Sequence, residues 1–335
     1  RDYYASRGLG DVYKRQRCFR LLSEEKLRRA EKDGEKTVSG TLGVKDGVLM
    51  FTFPDFAVTV EEEKKQAADP RAAEEVKSEL NEIIGLSEVK DYVLSLEQNY
   101  IIQRLREARG MKADVPTMHM IFTGNPGTGK TTIARLVSRY LKAMGVLSGG
   151  QLIEVTRADL VGKYVGHTAP LTQQVIRSAL GGVLFIDEAY SLYRGADDSF
   201  GLEAIDTIVK GMEDHRDELV VILAGYTKEM EVFLTANSGL ASRFPNKIEF
   251  PDYTADELLD ITNVLAKGKG YRLAEGCTFP LLGYYKRRQA LDSRTAGNGR
   301  LARNTLEKAI FNQSRRLVAE PAAELDVILP SDLEL

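Results

Sequence analysis

From His119 onward, short continuously apolar runs alternate with stretches of helical periodicity. The runs are MHMIFTG, LIEVTR, GVLFIDEA and LVVILAG. Helical stretches follow Lys130, run around Ala169 to Leu180, and run again around Gly201 to Met212. Strands that are apolar throughout and separated by helices predict a parallel sheet covered on both faces, an α/β sandwich. After FPDYT, Phe250 to Thr254, the strands stop, and DELLDITNVLAKG, FPLLGYYKRRQAL and GRLARNTLEKAIFNQSRRL read as helices. That shift predicts an α/β core over 76–253 and a small helical domain over 254–335.

Upstream, a long helical pattern runs through VKDYVLSLEQNYIIQRLREARG and stops at Gly110. Glu61 to Glu75 is charged and Ala-rich, which predicts a linker or an exposed helix. TVSGTLGVKDGVLMFTF, Thr37 to Phe53, alternates about a Lys45-Asp46-Gly47 turn and predicts a small hairpin ended by Pro54. Arg17 to Lys32 reads as a charged helix, so 17–75 forms a separate N-terminal segment. DVYKRQ, Asp11 to Gln16, is what GAT-GTG-TAT-AAG-AGA-CAG encodes, a string resembling a transposase adapter used in DNA library preparation. Residues 1–16 are therefore expected to be a sequencing artefact, with the true N-terminus upstream.

At 335 residues the chain has room for two or three compact units. A hydrophobic share of 43% and a charged share of 28% are ordinary for a globular protein. The formal charge of −3 argues against a general nucleic-acid surface. The 2 Cys, Cys18 and Cys277, lie far apart without CxxC spacing, as expected of free thiols in a reducing cytoplasm. No apolar run approaches the ~18 residues of a membrane span, and no signal-peptide pattern is visible. His119 and His215 show no metal spacing.

The chemistry concentrates in GNPGTGKTT: Gly124, Asn125, Pro126, Gly127, Thr128, Gly129, Lys130, Thr131 and Thr132. It fits G-x-x-x-x-G-K-[ST], follows a predicted strand and opens a predicted helix, the context that a phosphate-binding loop requires. Glycines turn backbone N–H groups toward phosphate oxygens, and the helix N-terminus adds its positive end. Lys130 is expected to reach the β- and γ-phosphates of ATP, and Thr131 to offer its hydroxyl to Mg²⁺. In GVLFIDEA, Asp187 and Glu188 emerge at the C-terminal edge of a strand, where open α/β sheets bind ligands. Asp187 is expected to hold Mg²⁺ through water, and Glu188 to act as general base on the attacking water. Adjacent carboxylates indicate hydrolysis, whereas a metabolite kinase needs an acceptor pocket that no motif supplies.

NEIIGLSEVKDYV, GNPGTGKTT, DLVGKYVGHTA, GGVLFIDEAY, VVILAGY, GLASRFPNKIEFPDY and GNGRLARN occur in that order. Together they resemble the AAA+ ATPases, and within those the branch holding stage V sporulation protein K and the CbbX Rubisco activases. The resemblance implies an αβα ATPase core, a helical lid and a homo-oligomeric ring, usually a hexamer. It puts Arg243 at the arginine-finger position, reaching a neighbour's γ-phosphate. Arg300 falls at the lid's sensor-2 position, with Arg303 as the alternative, and Ile83, Ile84 and Gly85 match the stretch that lines the adenine pocket. Many relatives end the strand LVVILAG near an Asn sensor 1; this chain has Gly225-Tyr226-Thr227, so Tyr226 or Thr227 takes that place.

KYVG falls where threading members carry an aromatic, an aliphatic and a Gly, which makes Tyr164, Val165 and Gly166 a pore loop that grips a client polypeptide. DNA-handling relatives would show basic residues there; Lys163 is alone. The implied function is a protein-remodelling motor like stage V sporulation protein K. The alternatives are a ring that assembles or scaffolds without threading, and a Rubisco activase. FRLLSEEKLRRAEK resembles the closing stretch of a lid, much as VILPSDLEL closes the chain, which suggests a second ATPase module upstream.

Overall fold

The computed structural model describes residues 41–45, 48–52, 57–59, 68–112, 117–195, 197–236, 238–291, 297–320 and 322–335. The expected artefact, the charged helix at Arg17 to Lys32 and the lid-like FRLLSEEKLRRAEK lie outside them. The chain divides into two compact units, Arg1–Gln66 and Ala67–Leu335. In the first, strands β1 (Thr41–Lys45) and β2 (Val48–Thr52) pair antiparallel, Lys45 opposite Val48, as the alternation predicts. A third strand, β3 (Ala57–Thr59), pairs with β2. Three residues beyond a proline are too few to show a period, so nothing in the pattern marks it.

The second unit opens with helix α1 (Pro70–Glu82), whose Asp69 cap accepts from the backbone of Arg71 and Ala72. The Glu61 to Glu75 stretch thus becomes helix from Pro70, six residues ahead of the expected core boundary. The reason is apolar: Ala73, Val76 and Leu80 are buried on one face of α1. Helix α2 (Ser87–Ala108) follows. Then strand and helix alternate: β4 (Met120–Gly124), α3 (Lys130–Ala143), β5 (Leu152–Val155), α4 (Arg157–Leu160), α5 (Thr168–Ser178) and β6 (Val183–Ile186). After them come α6 (Ser199–Asp214), β7 (Val220–Gly225), α7 (Thr227–Ala236), α8 (Ser238–Arg243) and β8 (Asn246–Phe250).

The five strands form one parallel sheet in the order β5-β6-β7-β4-β8. Every residue of β6 and β7 is buried, because both strands are interior and helices cover both faces. Edge strand β8 alternates instead, with Ile248 and Phe250 inside and Lys247 and Glu249 outside. The pleat sorts side chains between two cores. Met120, Phe122, Phe185 and Ile222 join α1, α2 and α3. Ile121, Leu184, Ile186 and Leu223 join α5, α6 and α7.

The C-terminal helices are α9 (Ala255–Gly268), α10 (Thr278–Leu291) and α11 (Asn298–Ala319). Thr254 and Glu257 close a reciprocal cap at the start of α9, marking where strand rhythm gives way to helix. Leu258, Leu281, Tyr285 and Leu301 belong to the same apolar cluster as α1 to α3, so the helical domain is seated on the core. Its end is held by a two-residue parallel pair, β9 (Arg272–Leu273) with β10 (Val327–Ile328). Buried Asp332 accepts from Arg316 Nε at 2.8 Å and Nη2 at 2.9 Å.

Candidate nucleotide site

The loop between β4 and α3 carries GNPGTGKT. Gly129, with φ +96°, leads into α3 and has no side chain to cap it, so the first N–H groups of the helix stay available to an anion. Gly127 has φ +77°, and a Cβ there would lie 2.3 Å from the Gly297 carbonyl oxygen. Only glycine fits such a backbone at such an approach. Lys130 Nζ donates to the carbonyls of Gly124 and Asn125, each at 2.8 Å. Burial brings its ammonium down to about 8; Asp187 opposes that, Arg300 adds to it and Asp252 opposes it.

Asp187 is the first residue past β6, and its N–H donates to the Val155 carbonyl at 2.9 Å, continuing the ladder with β5. The side chain is thereby delivered to the sheet's C-terminal edge. Glu188 stands next to it, exposed, with a left-handed φ of +48° that costs a non-glycine residue roughly 1 kcal/mol or more. Its backbone N–H donates to Asp187 Oδ1 at 3.0 Å, which orients the Asp187 carboxylate.

These groups line one cleft of about 740 Å³. Pro126, Gly127, Gly129, Lys130, Thr131 and Thr132 form its loop side, and Asp187 and Glu188 its sheet side. Ile83, Ile84, Ile261 and Leu265 make an apolar part suited to a planar base. Arg300 and Arg303 enter from the first turns of α11. Tyr226 also lines the cleft, its ring 5.6 Å from that of Tyr190, whose phenol is pushed up by burial and then by the Glu188 charge.

Six residues of the expected nucleotide and catalytic set do not line the cleft: Gly124, Asn125 and Thr128 of the loop, and Gly85, Thr227 and Arg243. Gly85 is not on the cleft wall; it packs under the lid, where a Cβ would lie 2.4 Å from Glu257 Oε1. Thr227 starts α7 and does not line the cleft. Arg243 does not reach it either: Nε donates to Glu213 Oε1 at 2.7 Å and Nη1 to the Gly239 carbonyl at 2.9 Å. Tyr164 is 68% exposed and Val165 89% exposed, on a loop where Gly166 has φ +82°. The Tyr164 ring meets His167 edge-on at 5.5 Å. Among the described residues, no group of three His, Cys, Asp or Glu side chains is placed to hold a metal ion by itself.

Two residues that carry no expected role connect the loop to the lid. Asp252 accepts from Asn125 Nδ2 at 2.9 Å and from Asn298 Nδ2 at 2.8 Å. Tyr253 is buried with its phenol pushed up to about 12, mainly by burial, and Oη donates to the Thr128 carbonyl at 3.3 Å. A signal is present, since Asp252 and Tyr253 sit in FPDYT and Asn298 in GNGR. In sequence, though, the first stretch reads as a domain boundary and the second draws attention to Arg300.

Comparison with known proteins agrees with this geometry. Residues 120–252 match the model of the ATPase family associated with various cellular activities (AAA), and residues 254–335 match the AAA lid domain. The chain is 43% identical to Stage V sporulation protein K of Bacillus subtilis (strain 168), over 81% of this chain and 83% of that protein. It is 44% identical to a chloroplastic ribulose bisphosphate carboxylase/oxygenase activase of Cyanidioschyzon merolae, over 73% of this chain and 83% of that protein. Protein CbbX of Cereibacter sphaeroides is 43% identical, over 76% and 82%. Among solved structures, the FIGL-1 AAA domain in complex with ADP superposes with a TM-score of 0.52 at 20% identity, covering 75% of this chain and 80% of that one, a likeness of fold. A phosphate loop, an acidic strand end and a lid seated over one cleft, matched by both family models and by relatives across most of their length, make this chain a member of the AAA+ ATPases, in the group of stage V sporulation protein K and the CbbX-type Rubisco activases.

Proposed function

We propose that this ATPase works as a homo-oligomeric ring, a hexamer, that pulls a client polypeptide through a pore lined by Tyr164. In this reading ATP enters the cleft with its base against Ile83 and Ile84 and its phosphates over Gly127 to Thr132. The Thr131 hydroxyl and the Asp187 carboxylate, hard oxygen donors that both line the cleft, fit Mg²⁺. When bound, Mg²⁺ supplies charge neutralisation at the β- and γ-phosphate oxygens. Lys130 turns from the Gly124 and Asn125 carbonyls to the phosphates, and Arg300 contacts them from the lid. Glu188 accepts the proton of the water that attacks the γ-phosphorus as the bond to the bridging oxygen breaks. Arg243 acts on the neighbouring subunit's γ-phosphate, and Tyr226 orients the water.

The observation that carries the motor reading is the exposure of Tyr164 and Val165, 68% and 89%, on a loop where a Cβ added at Gly166 would meet open space. A core tyrosine buries its ring; this one presents area that could grip most peptide segments without sequence preference. The test is ATP turnover with and without an unfolded polypeptide such as casein. The wild type is expected to be stimulated several-fold. In Tyr164→Ala the ratio of the two rates should fall to unity, and stimulation equal to wild type would replace threading by a ring that only scaffolds.

A second reading directs the same motor at Rubisco. The 44% identity to the C. merolae activase favours it as much as the 43% identity to the sporulation protein favours a sporulation client. Reactivation of sugar-phosphate-inhibited Rubisco by the wild type, and its loss in Tyr164→Ala, would select that reading.

A further inference from the structure

One carboxylate under the cleft joins three segments that are distant in sequence. Asp252 lies two residues past β8. Asn125 Nδ2 is 2.9 Å from each of its oxygens, and Asn298 Nδ2 is 2.8 Å from Oδ1. Asn298 is the first residue of α11, only 2% exposed, with a left-handed φ of +46°. Both ends of its amide are engaged: Nδ2 also lies 3.3 Å from the Pro126 carbonyl, and Oδ1 accepts from Tyr253 N at 3.0 Å. One residue on, Gly299 N donates to the Gly127 carbonyl at 3.0 Å. The start of α11 is thus tied to the phosphate loop and its supporting carboxylate, and Arg300 follows two residues after Asn298.

We propose that Asp252 and Asn298 form a positioning bracket that sets where Arg300 enters the nucleotide cleft. The inference rests on the reading of Arg300 as a phosphate contact. Both donors to Asp252 are carboxamide N–H groups, so the acceptor must offer two oxygens and no hydrogen, which a carboxylate does and an amide does not. Replacing it by Asn would face one donor with another in a half-buried place, where an unmet donor is expensive. The geometry also ties the bracket to the occupant of the loop. Asn125 offers its carbonyl to Lys130 and its side chain to Asp252. When Lys130 leaves that carbonyl for phosphate, the change reaches Asn298, and hence Arg300, through two hydrogen bonds. Asn298 holds a backbone that glycine adopts freely, so Asn298→Gly removes the side chain without adding strain.

The test is a double-mutant cycle on the full chain. Turnover of ATP, affinity for a fluorescent ADP and melting temperature are measured for Asn298→Gly, Arg300→Ala and the double variant. Each single substitution is expected to lower kcat by about tenfold or more, since small misplacements of a contacting group are costly. The double variant should turn over no more slowly than Arg300→Ala alone, the signature of two residues acting as one unit. Multiplicative losses, or wild-type kcat in Asn298→Gly beside an impaired Arg300→Ala, would overturn the bracket while leaving the Arg300 reading intact. Wild-type kcat in Arg300→Ala would end both. Should Asn298→Gly not fold, Asp252→Asn takes its place in the cycle with the same expected and overturning outcomes, because it breaks the bracket from the other side.

Discussion

The cleft and the Arg243 corner are built from the same kinds of residue but end differently. In the cleft, Lys130, Thr131, Asp187, Glu188 and Arg300 come from separate elements and face one volume. At the far end of α8, Arg243 points elsewhere and is held by Glu213 and by the Gly239 carbonyl. Lys130 is buried enough that its ammonium falls to about 8, whereas Arg243 pairs with a carboxylate that is itself half-exposed. In the proposed reading one chain supplies the groups that grip a nucleotide, and a guanidinium stays outside that grip. In the proposed ring the separation is the point: binding belongs to one subunit, and the charge that speeds hydrolysis arrives from its neighbour.

Breaking the outer half should have the largest effect. Arg243→Ala is expected to keep fluorescent-ADP affinity and to lose about 10³-fold or more in turnover, the scale of arginine fingers in other phosphate-loop enzymes. Nearly unchanged turnover would make Arg243 a surface residue paired with Glu213. Next comes Glu188→Gln, expected to retain ATP and to slow turnover by about 10²–10⁴-fold. A wild-type rate in that variant would remove Glu188 from the base role. The smallest effect concerns pH. In the free chain the Lys130 ammonium titrates near 8, and a bound phosphate raises that value by favouring the charged form. Binding then takes up a proton above pH 8, so affinity should be level below it and fall by up to about tenfold per pH unit above it. A flat profile through that window in titration calorimetry would show that Lys130 does not face the phosphates.

Much of the fold is legible along the chain, and the reason is locality. The interior strands are apolar at nearly every position because helices cover both faces, so β4, β6 and β7 stand out from their composition. The phosphate loop and the Asp187-Glu188 pair are contiguous in sequence and need no knowledge of packing. What stays hidden depends on distance along the chain. The hydrogen bond from Asn125 to Asp252 spans 127 residues, and in sequence the stretch holding Asp252 reads as a domain boundary. Strands β9 and β10 are two residues each, too short to show any period. The resemblance puts Gly85 on the adenine wall beside Ile84, but its own space is taken by Glu257. The start of α1 is obscured because a charged, Ala-rich stretch hides the burial of Ala73.

The central claim, that two subunits share one active site, is tested most directly by mixing two dead variants. Lys130→Ala lacks the phosphate grip but keeps Arg243, and Arg243→Ala has the reverse defect. Co-assembly is checked by light scattering or by energy transfer between labelled subunits, and ATP turnover is then read across mixing ratios. The account predicts activity well above that of either variant alone, greatest at intermediate ratios where intact half-sites meet most often. Mixtures that co-assemble and remain as inactive as their components would contradict a finger acting in trans.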